Sequence, residues 1–218
     1  MASPCSHNGN KVLLVEGKND CHVILALCKH FHIPQNFGIF QCGNDIGVIQ
    51  RADALLLRAD MACIGIVLDA DEKTAADFRW NQIRNGMDVS GYPVTDSPDP
   101  TGTIWTSSER PTLGIWIMPD NRLRGGIEDF LMEMAPPKAL DQARQCVTTA
   151  KESCMTTFKD LHRSKADLHT YLAWQDEPGT PMGLAITKQA LHPDTQTARE
   201  FANWLTRLFD QSIPRNRP

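Results

Sequence analysis

The sequence predicts an α/β fold, with a central, mainly parallel sheet of about four strands and helices on both faces. Short apolar runs alternate with amphipathic stretches along much of the 218-residue chain, and this alternation is typical of βαβ units. Hydrophobic residues make up 41% of the chain and charged residues 22%. That composition excludes a mostly disordered chain and supplies enough apolar side chain for a full core.

The first part of the chain alternates strand and helix. Lys11–Val15 is a short apolar run that ends at Glu16-Gly17 and predicts a buried strand. Asn19-Asp20 then predicts the start of a helix that continues to Phe31. The elements expected next are a strand at 37–40, an amphipathic helix over 45–60, a buried strand at 62–68 and a helix over 73–87.

The rest of the chain does not follow this regular alternation of strands and helices. Residues 90–111 are rich in turn-forming residues around Thr103–Thr106, which indicates an irregular insertion or a short hairpin. A strand is expected at 113–118, followed by helices at 127–134, 137–154, 164–175, 181–190 and 197–210. We therefore expect one structural unit, in which an α/β core over 11–135 carries a helical C-terminal extension over 136–212.

Composition and the N-terminal residues predict a cytoplasmic protein. Met1–His7 lacks the basic and apolar regions of a signal peptide, and the longest apolar runs are too short to span a bilayer. The seven cysteines are an odd number without a C-x-x-C pair, which argues against a disulfide framework and against the common zinc modules. We expect reduced cysteines, and small, buried, hydrophobic side chains at five of them: Cys21, Cys28, Cys63, Cys146 and Cys154.

Acidic residues follow three of the predicted strands. The residues concerned are Glu16 and Asp20 around the first helix start, Asp69 and Asp71 after the third strand, and Glu128 after the fourth. Because sites in parallel sheets form beyond the carboxyl ends of the strands, we expect these side chains to converge. Ionised carboxylates share a small volume only with cations between them, and oxygen ligands favour Mg²⁺ or Mn²⁺ over zinc.

Most of these acids, taken singly, also have a structural explanation. Asp20, Asp71 and Glu128 lie where a helix start favours negative charge, and Asp129 is either a ligand or a cap. Glu16 has no helix end to cap, and the glycine beside it permits close backbone approach. The joint pattern, rather than any one residue, therefore predicts a metal site.

The segment Leu14-Val-Glu-Gly-Lys-Asn-Asp20, followed two strands later by Ile66-Val-Leu-Asp-Ala-Asp71, resembles the TOPRIM (topoisomerase–primase) domain. That domain has a Glu after its first strand and Asp-x-Asp after its third. The extra acid at Asp20, the Gly-Gly-Ile-Glu-Asp129 segment and the late Lys188 look like the nuclease branch, similar to the OLD (overcoming-lysogenization-defect) family. The whole chain looks most like a small stand-alone bacterial group of TOPRIM-like proteins.

The resemblance implies metal-dependent hydrolysis of phosphodiester bonds in DNA or RNA, with one or two Mg²⁺ or Mn²⁺ ions. It implies that Glu16 is catalytic and that Lys188 stabilises developing negative charge or positions the attacking water. OLD proteins carry an ATPase module that this sequence lacks, so a partner protein is expected to supply an ATPase or deliver nucleic acid. The implied metal ligands are Glu16, Asp20, Asp69, Asp71 and Glu128.

Two other functions remain open. A TOPRIM-like protein without turnover would bind a metal or a partner as a regulator, and the net charge of −4 without a strong basic cluster favours this alternative. A haloacid-dehalogenase-like phosphatase would also carry an apolar strand that ends in Asp-x-Asp, with Asp69 as the nucleophile. Here, however, the Asp pair follows two earlier strands. Topoisomerase and primase activities would need further modules.

Overall fold

The computed structural model describes residue 5 and residues 9–70 and 76–210. The strands are β1 (Lys11–Val15), β2 (Gly38–Gln41), β3 (Cys63–Asp69), β4 (Thr103–Trp105) and β5 (Thr112–Met118). They form one sheet in the order β2-β1-β3-β5-β4, in which β4 alone is antiparallel to its neighbour. The expected α/β class is confirmed, and the hairpin considered for residues 90–111 supplies the fifth strand.

The helices follow the expected order. They are α1 (Lys18–His30), α2 (Asp45–Leu56), α3 (Ala76–Gly86), α4 (Ile127–Met132), α5 (Pro137–Glu152), a 3-10 turn at Asp160–His162, α6 (Arg163–Leu172), α7 (Met182–Thr187) and α8 (Gln196–Phe209). The α2 helix ends at Leu56, before the predicted residue 60. Beyond it, the Leu57 side chain is exposed, and the Arg58 N–H donates a hydrogen bond to the Leu55 carbonyl oxygen. Within the described ranges, no helix is both long and apolar enough to cross a membrane.

Helices cover both faces of the sheet because its strands are apolar on both sides. Val12 and Ile64 face one core, which α2 and α3 cover. Leu13 and Val67 face a second core, to which α1, α4 and the C-terminal helices contribute. The two cores hold the central strands rigidly, so that the loops at the strand ends have fixed positions.

The last helix packs directly on the sheet. Gly65 and Gly114 pair across β3 and β5, and a Cβ atom at these positions would lie 2.9 and 2.4 Å from Leu208 side-chain atoms. The two glycines therefore allow α8 to approach the strands closely. At the end of the helix, Lys11 Nζ donates a hydrogen bond to the Phe209 carbonyl at 2.7 Å. These contacts join the C-terminal segment to the sheet, while the boundary placed near residue 135 stays a prediction.

The cysteines differ from expectation. Cys5 and Cys21 form a disulfide, with their Cα atoms 6.1 Å apart, so Cys21 is buried but not a free thiol. The expectation rested on the odd number of cysteines and on the lack of a C-x-x-C pair. Neither observation excludes a single disulfide between a residue near the N-terminus and α1. The other five cysteines form no disulfide. Cys28 and Cys63 are buried as expected, whereas Cys146 and Cys154 are exposed, on α5 and just after it.

Candidate functional site

The acids lie at the point where the chain changes direction across the sheet. From β1 the chain passes to β2 on one side, then crosses back to β3 on the other side of β1. Such a reversal opens a crevice beyond the carboxyl ends of the two central strands. Glu16 directly follows β1 and Asp69 is the last residue of β3, so both lie at this crevice.

Glu16 bridges the ends of the two central strands. The backbone N–H of Asp69 donates a hydrogen bond to Glu16 Oε1 at 3.0 Å. Burial raises the pKa of Glu16 from 4.5 to about 7, because the ionised form loses hydration, and the nearby charges of Asp20 and Asp45 raise it further. The hydrogen bond from Asp69 opposes this increase. Glu16 therefore exchanges a proton near neutral pH.

Asp69 is held by the start of α4. The backbone N–H of Ile127 donates to Asp69 Oδ1 at 3.0 Å, and a Cβ atom at Gly126 would lie 2.7 Å from Asp69 Oδ2. A side chain at position 126 would therefore displace the carboxylate. Burial raises the pKa of Asp69 well above its ordinary value, and neighbouring carboxylates add to the effect. Those neighbours are Glu16, Asp20 and Glu128.

Two helices at the site begin in the same way. The Gly17 N–H donates to Asp20 Oδ2 at 3.1 Å at the start of α1, and the Gly126 N–H donates to Asp129 Oδ2 at 2.9 Å at the start of α4. Asp129 also accepts a hydrogen bond from the Ser164 hydroxyl at Oδ1. Of the two roles left open for Asp129, capping is therefore the one that its contacts show.

Asp20 is buried, at 8% exposure. Burial raises its pKa from 3.8 to about 6, and the negative charge of Glu128 contributes in the same direction. The positive charge of Lys165 acts in the opposite direction. Asp20, Asp69 and Glu128 thus interact electrostatically although they belong to three separate elements, α1, β3 and α4, as expected for acids at one edge of a parallel sheet.

A lysine of α6, Lys165, lies beside these acids. Its Nζ atom is 3.9 Å from Glu128 Oε1. Lys165 and His162 border a pocket of about 250 Å³, whose other side is formed by Asp69 and Glu128. Sequence reasoning missed Lys165, because no local motif marks it and only the packing of α6 against α4 brings it to the site.

Arg79 fixes the end of β3 from the opposite side. Its Nε donates to the Asp69 carbonyl oxygen at 2.7 Å, and its Nη1 pairs with Asp45 Oδ2 at 2.6 Å. The residue is only 2% exposed. Arg79 also lowers the pKa of Glu16 through its positive charge. It therefore positions the backbone of Asp69 and partly offsets the negative charge of the cluster.

For two of the expected site residues, Asp71 and Lys188, the structure does not test the expected role. Asp71 lies outside the described residues. Lys188 follows α7 and forms an ion pair with Glu177, and no described contact joins it to the acids, so its catalytic role stays a prediction. Among the residues that the structure describes, no group of three His, Cys, Asp or Glu side chains has a geometry that could hold a metal ion.

Comparison with protein-family models gives a match over residues 10–210, to the family described as "Protein of unknown function (DUF3226)". The chain belongs to this family. The match includes all the strands and helices described above, together with the acids at the sheet edge. Comparisons with curated proteins and with solved structures gave no match.

Proposed function

We propose that this DUF3226 chain is a metal-dependent phosphodiesterase that cleaves DNA or RNA, with a TOPRIM-like core. The observation that carries the proposal is the meeting of Glu16, Asp20, Asp69 and Glu128 at the switch point of the sheet. Partly buried carboxylates with raised pKa values destabilise a metal-free fold, and such groups cluster at functional sites. A bound cation would offset the repulsion between these carboxylates and so stabilise the cluster.

The carboxylate donors of this cluster suit Mg²⁺ or Mn²⁺ by their chemistry, although the described side chains do not already form a group of three in ligand geometry. Glu16, Asp20, Asp69 and Glu128 would hold one or two ions, because hard cations prefer carboxylate oxygens. The glycine at position 126 also leaves open the space beside Asp69 Oδ2. A divalent cation bound there would neutralise charge on the scissile phosphate and lower the pKa of a bound water.

The protein's own groups orient the carboxylates. The backbone N–H groups of Asp69 and Ile127 direct the side chains of Glu16 and Asp69, and Arg79 holds the strand end that carries them. In the metal-free protein burial raises the pKa of Glu16 to about 7, and a bound cation would displace this proton and leave Glu16 as an ionised ligand. This preorganisation is what phosphoryl transfer requires of a protein, since the chemistry depends on positioning and charge stabilisation.

We further propose that Lys165 stabilises negative charge that develops on the phosphate. Its ammonium group already borders the pocket that Asp69 and Glu128 line. The resemblance assigned this role to Lys188, which instead pairs with Glu177. The two lysines can be separated by experiment, because a transition-state contact lowers the rate and leaves metal affinity intact.

The test is cleavage of labelled plasmid and RNA by the purified chain with Mn²⁺. Wild type should cleave at least one of them, Asp69→Asn should lower the rate by about 10³-fold or more, and Asp141→Asn on the exposed face of α5 should not change it. A regulatory protein would cleave neither substrate. A phosphatase would instead form a covalent acyl-phosphate on Asp69 and would tolerate the loss of Glu16. The need for a partner ATPase stays a prediction.

A further inference from the structure

A second groove, of about 560 Å³, lies between α1 and α7. Leu25 and Leu184 give it an apolar wall, while Lys18, His22 and Lys29 lie along its α1 side. The two helices touch closely, because a Cβ atom on Gly183 of α7 would lie 2.5 Å from the carbonyl oxygen of His22. The groove therefore combines an apolar surface with basic groups.

The charge of this groove is opposite to that of the acidic site. No Asp or Glu is among the described residues that line it. Lys18 and Lys29 are exposed, and neither forms an ion pair within the part of the chain that the structure describes. His22 lies between them on the same face of the helix, four residues after Lys18 and seven before Lys29. The groove thus presents a line of cationic and ring side chains in a protein whose net charge is −4.

The groove also begins beside the acids. Lys18 directly follows Gly17, whose N–H group is bonded to Asp20. Lys18 and Lys29 are separated by about 16 Å along the axis of α1. In a stacked strand this distance spans on the order of five nucleotides.

We propose that the α1–α7 groove binds one single strand of a polynucleotide and leads it to the acidic site, an inference that rests on the proposed function. Lys18 and Lys29 contact backbone phosphates, and the His22 ring stacks on a base. Leu25 and Leu184 cover the apolar faces of unpaired bases. A paired duplex would keep its bases stacked inside and would leave this apolar wall without a partner, so a single strand fits the groove better.

The test separates binding from cleavage. Fluorescence anisotropy would measure the affinity of the full chain, in EDTA at low salt, for labelled dT and rU oligonucleotides of about 12 nucleotides. The test variant is Lys18→Glu/Lys29→Glu, and the matched control is Lys138→Glu, which reverses an exposed charge on α5. The double variant should lose about tenfold or more in affinity and about 1.4 in the slope of log K against log salt, and the control should lose little.

A second comparison tests the base contact. His22→Ala should weaken binding of dT by about tenfold, and it should have little effect on an abasic strand of the same length. The inference is overturned if wild type binds neither oligonucleotide, or if the double variant binds as tightly as Lys138→Glu. If binding follows these expectations and Mn²⁺ supports no cleavage, the proposed hydrolysis fails while the groove assignment stands.

Discussion

Replacement of Asp20 by Asn tests whether the acidic site strains the metal-free protein. Asp20 is buried and its pKa is raised from 3.8 to about 6, first by burial and then by Glu128. Because the folded-state pKa lies above the ordinary value, the folded protein holds this proton more tightly than the unfolded chain does. The associated stability is fully present below pH 3.8 and is lost as the pH rises to about 6 and beyond.

The size of the effect follows from the same two values. The difference between 3.8 and about 6 corresponds to about 3 kcal/mol of stability that wild type loses across this pH window. Asn keeps an oxygen for the Gly17 N–H, but its amide N–H groups need new partners, at a cost of about 1 kcal/mol. In EDTA, Asp20→Asn should therefore be more stable than wild type by about 1–2 kcal/mol at about pH 8, and no more stable at about pH 4.

Urea unfolding of both proteins at the two pH values would measure this difference, with Asp141→Asn as the control for an exposed acid on α5. Saturating Mn²⁺ should reverse the order, because a bound ion stabilises only a fold that can bind it. A variant whose stability relative to wild type does not increase with pH would refute the assignment of strain to Asp20. A variant that gains as much from Mn²⁺ as wild type would refute its role as a ligand.

Three further substitutions test the remaining parts of the site. Gly126→Ala places a Cβ atom 2.7 Å from Asp69 Oδ2 and should displace this carboxylate. Mn²⁺ affinity measured by calorimetry should therefore fall about tenfold or more. Unchanged affinity would show that Asp69 is not a ligand. Lys165→Ala should lower the cleavage rate by about 10²-fold with Mn²⁺ affinity retained. If Lys188→Ala lowers the rate and Lys165→Ala does not, Lys188 is the residue that stabilises the developing charge. Arg79→Lys should lower the free energy of unfolding by about 1–3 kcal/mol in urea titration, because Lys cannot make the contacts of the guanidinium group with Asp69, Asp45 and Gln82 together. A stability equal to that of wild type would contradict the role given to Arg79.

Much of the fold could be predicted because its strands are short apolar runs with clear ends. Lys11–Val15 and the run before Asp69 are buried on both faces, and such runs leave a strong signal in the sequence. The β4 strand was less certain, since three residues between turn-rich segments carry little periodicity. The Cys5–Cys21 bridge was missed because its geometry depends on tertiary contact, which spacing does not encode.

The site was predictable where its residues follow strand ends. Glu16 and Asp69 met at the switch point because the strand order fixes where those ends lie. Lys165 was not foreseen, since it reaches the site from a distant part of the chain through the packing of α6. Arg79 lies on α3, the helix after β3, but no local motif marks it as a partner of the Asp69 carbonyl group. The role of Asp129 could not be predicted, because a metal ligand and a helix cap can have the same local sequence. Its contacts with Gly126 and Ser164 identify it as a cap.

Anomalous scattering from a crystal soaked in Mn²⁺ tests the central claim most directly. We expect one or two strong peaks at the carboxyl edge of β1 and β3, within bonding distance of oxygens of Glu16, Asp20, Asp69 and Glu128. A soaked crystal with no peak at these carboxylates, at a Mn²⁺ concentration that saturates Mg²⁺ or Mn²⁺ enzymes, would contradict the assignment of a metal centre to this site.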